Sequence, residues 1–316
     1  MTDRSGVVAF IEGAFDKQQA ARISGVSGIR AEFFTDRAAM ASRIGEAEVV
    51  AGRLDAAMLA AGARLKWVQS WAAGPDEALF PEMIASPVVL TSCKGNGAVP
   101  LAEHAIMLML MLNRNAMRWV EAQRECRWDR FTHGELNGLT CGIVGLGNSG
   151  SDLALKAKAF HMHVLGTRRS SEPVPGVDEL IAPSALHKLL ERSDFVVLTA
   201  PLTRETNGMI GDKELRAMKP TAYLVCFSRG GIIEDESLLR ALDEEWIAGA
   251  GLDAHGEEPL PADSPFWRAK NTIVTPHNGA TTNGTRDRSI DIVVENLRRY
   301  AAGEQLYNVV DKIAGY

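Results

Sequence analysis

The chain has no long hydrophobic run, no block of basic residues and few cysteines, and each lack removes a class of protein. Its most apolar stretch, Leu101 to Leu112, carries Glu103 and His104 and is too short to cross a bilayer. Met1 to Gly13 holds acids where a signal peptide needs a basic start and an apolar run, so no export signal is read there. The formal net charge is −6. A nucleic-acid surface needs a basic stripe to displace counterions from phosphates, and an anionic membrane face needs the same attraction. Neither partner is expected. The four cysteines, Cys93, Cys126, Cys141 and Cys226, have no metal-ligand spacing and imply no disulfide framework. Cys141 and Cys226 lie in apolar runs, where a thiol is a small core residue. A reducing, cytoplasmic setting follows.

What remains is an ordinary globular composition, 46% hydrophobic and 23% charged over 316 residues, enough for two domains. Repeats and low-complexity tracts are absent. Val7–Ile11 and Val88–Thr91 read as strands, and Ala56–Ala63 as a helix capped by Asp55. Pro100 opens a long apolar helix running to about Trp119. Six short apolar runs follow: Thr140–Leu146, Met162–Gly166, Phe195–Ala200, Tyr223–Phe227, Ala248–Leu252 and Thr272–Thr275. The first two are separated by a helix over Asp152–Phe160. Six such strands are what a dinucleotide-binding sheet wants. A last helix, about Arg286 to Tyr300, has apolar residues at Ile290, Val293, Val294 and Leu297 and begins too late to extend that sheet. The expected fold is α/β: two Rossmann-like or flavodoxin-like lobes with doubly wound parallel sheets. Residues 1–98 with 284–316 form a discontinuous substrate domain, into which a dinucleotide-binding domain of residues 99–283 is inserted.

Gly145-Leu146-Gly147-Asn148-Ser149-Gly150 is a G-x-G-x-x-G directly after a strand and at the mouth of a helix. The first glycine allows a tight turn, the second lets backbone approach a pyrophosphate, and the third permits close helix–strand packing. Amides at the helix start then face the phosphates. An NAD site places an acid at the end of the next strand to hold the ribose 2′-hydroxyl. Here stand Thr167, Arg168 and Arg169, and no acid. Two guanidiniums and a hydroxyl suit a 2′-phosphate. With charge-assisted hydrogen bonds worth roughly 1.5–3 kcal/mol each, NADPH is preferred by about tenfold or more. NADP is therefore the favoured cofactor and NAD the other possibility, since arginines after strands also point to solvent.

Three polar residues follow strand ends in the second half: Arg229 after Tyr223–Phe227, Glu258 beyond Gly251-Leu252-Asp253, and His277 after Thr275-Pro276. Ligands in open α/β sheets bind beyond the carboxyl ends of strands, so the three can converge. Their chemistry fits reduction of a 2-oxo acid. Arg229 can grip the carboxylate with a bidentate fork. His277, with an ordinary pKa near neutrality, can give a proton to the carbonyl oxygen. Glu258 would orient the ring and stabilise imidazolium.

These segments together resemble the D-isomer-specific 2-hydroxyacid dehydrogenase family, in particular its glyoxylate/hydroxypyruvate reductase-like branch. The likeness is carried by Gly142–Gly147, Asp194–Thr203, Ser228–Gly231, Ala250–Asp253, Glu258–Pro261 and Thr275–His277, and by Leu65–Ser70 leading into Ala73-Gly74. It runs from about Leu65 to the end. The resemblance implies that Arg229, Glu258 and His277 are the catalytic set, and that Asp253 holds the nicotinamide carboxamide. It also implies that amides near Ala73 and Gly74 bind the substrate carboxylate, that Ala200, Pro201 and Phe227 line the cofactor, and that the enzyme is a homodimer. The product would be a D-2-hydroxy acid.

The chain departs from that pattern at several points. Cys226 stands where the family often has Asn, Phe227 where it has Val or Ala, and Ser149 where it prefers an aliphatic residue. Ala254-His255 replaces a stretch that tends to contain an aromatic residue. A dinucleotide-sensing regulatory protein of the same fold is the alternative from another class, told apart by whether any 2-oxo acid is turned over. A formate-oxidising relative would have no carbonyl to protonate and no need of Glu258 and His277. His161 and His163 flank a strand as an incidental pair, no metal being expected, and Met107, Met109 and Met111 read as core or dimer packing. Substrate size would be set by loops around Ser70–Asp76 and Ser92–Val99, with Trp67, Trp71 and Phe80 lining a pocket or filling the core.

Overall fold

Twelve strands, all paired in parallel, are formed by the residues that the computed structural model describes, 6–315. They divide between two compact units, Met1–Asn96 with Thr282–Tyr316, and Gly97–Thr281. The first unit holds β1 (Val7–Glu12), β2 (Ile29–Phe34), β3 (Val49–Ala51), β4 (Trp67–Gln69) and β5 (Val89–Thr91), in the order β2-β1-β3-β4-β5. That is the flavodoxin-like order. The second holds β6 (Thr140–Val144), β7 (His163–Thr167), β8 (Glu179–Ile181), β9 (Phe195–Leu198), β10 (Tyr223–Cys226), β11 (Gly249–Leu252) and β12 (Thr272–Val274). Their order, β12-β11-β10-β9-β6-β7-β8, reverses direction between β6 and β9, the switch point where such sheets bind ligands.

The unbroken apolar character of the inner strands, such as β9 and β10, follows from burial on both faces. Along β9, Phe195 and Val197 join one core cluster while Val196 and Leu198 join another, because successive side chains point to opposite sides. In β1, Phe10 and Val8 face one core of the first unit, and Ala9 and Ile11 face the other. The helix Asn283–Ala302, capped by Thr282 and closed by Gly303 in the left-handed region, buries Ile290, Val293 and Leu297 in that second core. Among the described residues no helix is long and apolar enough to cross a membrane.

Three sequence expectations are corrected. The helix from Pro100 does not run unbroken to Trp119: it spans Ala98–Asn113, and a second helix, Ala116–Arg124, follows a break at Asn115. Asn115 sits at φ 49°, a left-handed conformation that asparagine tolerates and that ends a helix. The second sheet has seven strands rather than six. The one overlooked, β8, is three residues long and begins with Glu179, so it shows no apolar run. Finally, the helix placed at Asp152–Phe160 begins earlier, at Asn148. Asp55 does cap its helix, accepting from the Met58 amide at 2.9 Å, but that helix ends at Ala61.

Candidate active site

The glycine loop joins β6 to the helix Asn148–Ala159 at the switch point. Gly145 has φ 107°, and a Cβ there would stand 2.7 Å from the Ala200 amide nitrogen. A Cβ on Gly150 would meet the Gly145 carbonyl oxygen at 2.2 Å. Both glycines are thus demanded by the protein's own packing. Gly147 is not: a Cβ there meets nothing within 4 Å. No side chain caps the helix that it precedes, so the first-turn amides of Asn148, Ser149 and Gly150 are left for an anion, aided by the helix dipole. At the end of β7, Arg168 is half-buried and makes no hydrogen bond or ion pair among the described residues, and Arg169 is exposed. These features fit a dinucleotide phosphate. Replacing Gly147 by alanine is expected to weaken dinucleotide binding at least about tenfold, measured by fluorescence titration, while shifting Tm by no more than about 4 °C. A large loss of stability with binding intact would refute the division of roles among the three glycines.

The polar groups of the other half of the site come from three loops that follow neighbouring strands, β10, β11 and β12. Beyond β12, His277 adopts φ 50°, a left-handed setting uncommon for non-glycine residues though less so for histidine than for most, and its amide donates to the Thr275 carbonyl at 3.1 Å. Its Nδ1 lies 2.7 Å from Oε2 and 2.9 Å from Oε1 of Glu258. Glu258 also accepts the His255 amide on Oε1 at 2.9 Å. Burial alone would push the Glu258 carboxyl up, but the His255 amide and the His277 ring together hold it below its ordinary 4.5. The acid is therefore ionised through the neutral range. With Nδ1–H given to that carboxylate, Nε2 is the ring atom left to exchange a proton. Arg229, after β10, is half-buried, and its guanidinium donates to the Ser228 carbonyl at 2.8 Å. The adjoining Gly230 is pressed against the His255 carbonyl, with room for no side chain. The segment bearing Arg229 thus abuts the segment bearing Glu258.

Residues 106–279 match the profile of the D-isomer specific 2-hydroxyacid dehydrogenase NAD binding domain. The chain belongs to that family. This makes it an NAD(P)-dependent oxidoreductase. It is 36% identical over 269 residues to the glyoxylate reductase of Korarchaeum cryptofilum, covering 82% of this chain and 80% of that one. Among solved structures, it matches a family protein from Aeromonas salmonicida with a TM-score of 0.89 and 30% identity, over 98% of this chain and all of that one. An NADPH-dependent glyoxylate/hydroxypyruvate reductase from Sinorhizobium meliloti, solved with NADP and sulfate, matches with a TM-score of 0.85 and 27% identity over the same shares.

Within this dehydrogenase several residues singled out in the sequence take unexpected places. Thr167 is turned inward, its hydroxyl accepting from the Gly145 amide at 3.2 Å, so it steadies the loop instead of standing beside the two arginines. Asp253 is fully buried. Its Oδ1 accepts from Thr275 Oγ1 at 2.7 Å and the Asn278 amide at 3.1 Å, and its Oδ2 from the Gly279 amide at 2.9 Å. What the structure gives this acid is the task of anchoring the loop that carries His277. Phe227 is buried in the core cluster, so only its backbone can face a ligand, whereas Ala200 is nearly buried and Pro201 exposed. In the other unit, Ala73 and Gly74 lie in the loop after β4. Trp67 is a core residue, fully buried with its indole donating to Thr91 at 2.8 Å. Trp71 is half-buried, its indole donating to the Ala51 carbonyl at 3.2 Å. His163 pairs with Asp178 at 3.3 Å, and no metal-binding cluster occurs among the described residues.

Sequence reasoning missed two supports of the site. The Thr199 hydroxyl donates to the Gly145 carbonyl, tying the glycine loop to β9. His104 Nε2 lies 3.0 Å from Thr275 Oγ1 and 3.6 Å from Asp253, beneath the His277 loop. Thr199 and His104 each broke an apolar run, and that was the only signal either gave.

Proposed function

We propose that this dehydrogenase reduces a small 2-oxo acid of the glyoxylate or hydroxypyruvate type to the D-2-hydroxy acid, with NADPH favoured over NADH. The single observation that carries this assignment is the 2.7 Å contact between His277 Nδ1 and Glu258, which leaves Nε2 as the proton-exchanging atom. The cofactor would be held by Gly145, Gly147, Asn148, Ser149 and Gly150 around its phosphates, by Arg168 and Arg169 at a 2′-phosphate, and along Ala200, Pro201 and the backbone of Phe227. A bound nicotinamide supplies the hydride. Arg229 binds the substrate carboxylate with its guanidinium fork. Protonated His277 gives its Nε2 proton to the carbonyl oxygen as negative charge builds there, while Glu258 balances the imidazolium. In oxidation the neutral Nε2 takes the hydroxyl proton. Asp253 acts through the loop it anchors.

The relatives named glyoxylate reductase and the NADP-bound neighbour from Sinorhizobium meliloti support both the substrate class and the cofactor. A panel of glyoxylate, hydroxypyruvate and phenylpyruvate with each cofactor, followed by absorbance of the reduced nicotinamide, tests the assignment. Tight NADPH binding with no turnover of any 2-oxo acid would favour a sensor. Arg168→Ala is expected to cut the NADPH-over-NADH ratio of kcat/KM by about tenfold, as loss of one or two charge-assisted hydrogen bonds predicts. An unchanged ratio would remove Arg168 from the phosphate site.

Two coarser features complete the proposal. The enzyme is a homodimer, as sedimentation would reveal; Met117, Trp119 and Val120 leave apolar surface exposed on the helix Ala116–Arg124. Its setting is the cytoplasm, consistent with four free cysteines.

A further inference from the structure

We propose that His255 is a positioning residue for the Glu258–His277 pair, holding the acid with its backbone and the loop of the proton donor with its ring. The inference rests on His277 being the proton donor. His255 lies just beyond β11, one residue after Ala254. Its backbone amide donates to Glu258 Oε1 at 2.9 Å, the same oxygen that His277 Nδ1 approaches at 2.9 Å. Its ring Nε2 lies 2.9 Å from the Thr275 carbonyl oxygen, which also accepts the His277 amide. One residue therefore touches both arms of the pair and fixes their separation.

The ring chemistry says why a histidine stands there. A carbonyl oxygen can only accept, so Nε2 must carry the proton and, in the neutral ring, Nδ1 is a bare lone pair. That Nδ1 is buried without a hydrogen-bond partner among the described residues, and the residue is only 6% exposed. Burying an unpaired acceptor is unfavourable, and an apolar ring of similar size would avoid it. What histidine adds over such a ring is the donor at Nε2. That donor has a task, because His277 holds φ 50° and a backbone in such a sparsely populated region persists only when its surroundings over-determine it. From the other side, the His255 carbonyl is backed by Gly230.

The test uses His255→Phe, His255→Gln and, as control, His277→Ala in the full-length protein. His255→Phe keeps the backbone bond to Glu258 and removes the ring bond to Thr275. It should lower kcat at least about tenfold, since small displacements of a reacting group cost up to about a hundredfold, with KM for NADPH within about threefold of the parent. The pH profile of kcat should shift as well. His255→Gln, whose amide can donate to the Thr275 carbonyl, should recover most of the loss. A folded His255→Phe enzyme with kcat within twofold of the parent, or a His255→Gln enzyme impaired to the same extent as His255→Phe, would overturn the proposal. Should the Phe variant not fold, the ¹⁵N spectrum of the unmutated protein decides: a His255 ring protonated at Nε2 alone supports the assignment, and one protonated at Nδ1 alone overturns it. If His277→Ala retains full activity, the proton-donor assignment itself falls. If that control is inactive and His255→Phe is not impaired, only the present proposal does.

Discussion

Replacing His277 by alanine is expected to lower kcat at least about a hundredfold, the usual cost of losing a general acid, and to leave NADPH affinity nearly unchanged. The split follows from where the residue sits. Its ring is engaged with Glu258, while the glycine loop is held through Gly145 by the hydroxyls of Thr167 and Thr199. Loss of the ring removes the group that the Glu258 carboxylate is placed to orient, leaving that carboxylate, among the described residues, with the His255 amide. The acidic partner persists across the working range, because its carboxyl lies below 4.5 in the folded protein. Glu258 can therefore balance an imidazolium through the neutral range. A milder loss, about threefold, would point to another proton donor; a parallel loss of NADPH binding would mean that the loop had collapsed.

A methyl group on Gly230 is expected to be nearly as damaging, although glycine at this position contacts no reacting atom. Its Cβ would stand 1.7 Å from the His255 carbonyl oxygen and 2.6 Å from the Gly256 amide nitrogen. Both are backbone atoms and cannot swing aside as a side chain would. Either the Arg229 segment or the His255–Glu258 segment must move, and each carries part of the proposed chemistry. Gly230→Ala should lower kcat/KM at least about a hundredfold, as roughly 1 Å misplacements do. Overpacking of about 1–3 kcal/mol should also lower Tm, at about 2–4 °C per kcal/mol. The contrast with Gly147→Ala is informative, because that methyl group meets no protein atom and should spare stability. If Gly230→Ala keeps kcat/KM within threefold, Arg229 and the acid–imidazole pair are not mechanically joined.

The sheet was legible because parallel strands buried on both faces become continuous apolar runs, and β6, β7, β9, β10, β11 and β12 all did so. The glycine loop was legible because its spacing reflects three separate backbone demands, and Glu258 with His277 because their types suit proton transfer at strand ends. What stayed hidden was of two kinds. Short or polar segments carry too little pattern: β8 begins with an acid, and the break at Asn115 needs one tolerant residue and no proline or glycine. Long-range polar contacts leave no local trace. His104 reaches Thr275 across 171 residues of chain, and Asp253 spends its oxygens on amides at Asn278 and Gly279 that spacing alone does not reveal. Thr167 misled for the same reason, since a hydroxyl beside two arginines looks outward in sequence and points inward in space.

β12, the strand that leads to His277, is the outermost of its sheet, three residues long and paired only with β11. A margin with one neighbour is the part of a sheet that frays first, and small openings there cost far less than global unfolding. On warming, the enzyme would fall silent while most of its secondary structure was still intact. Amide exchange at Ile273 and Val274 would report that failure earlier than circular dichroism. The Asp253 anchor, gripping the segment from below, works like a rivet on a loose hem and sets the temperature at which the edge lets go.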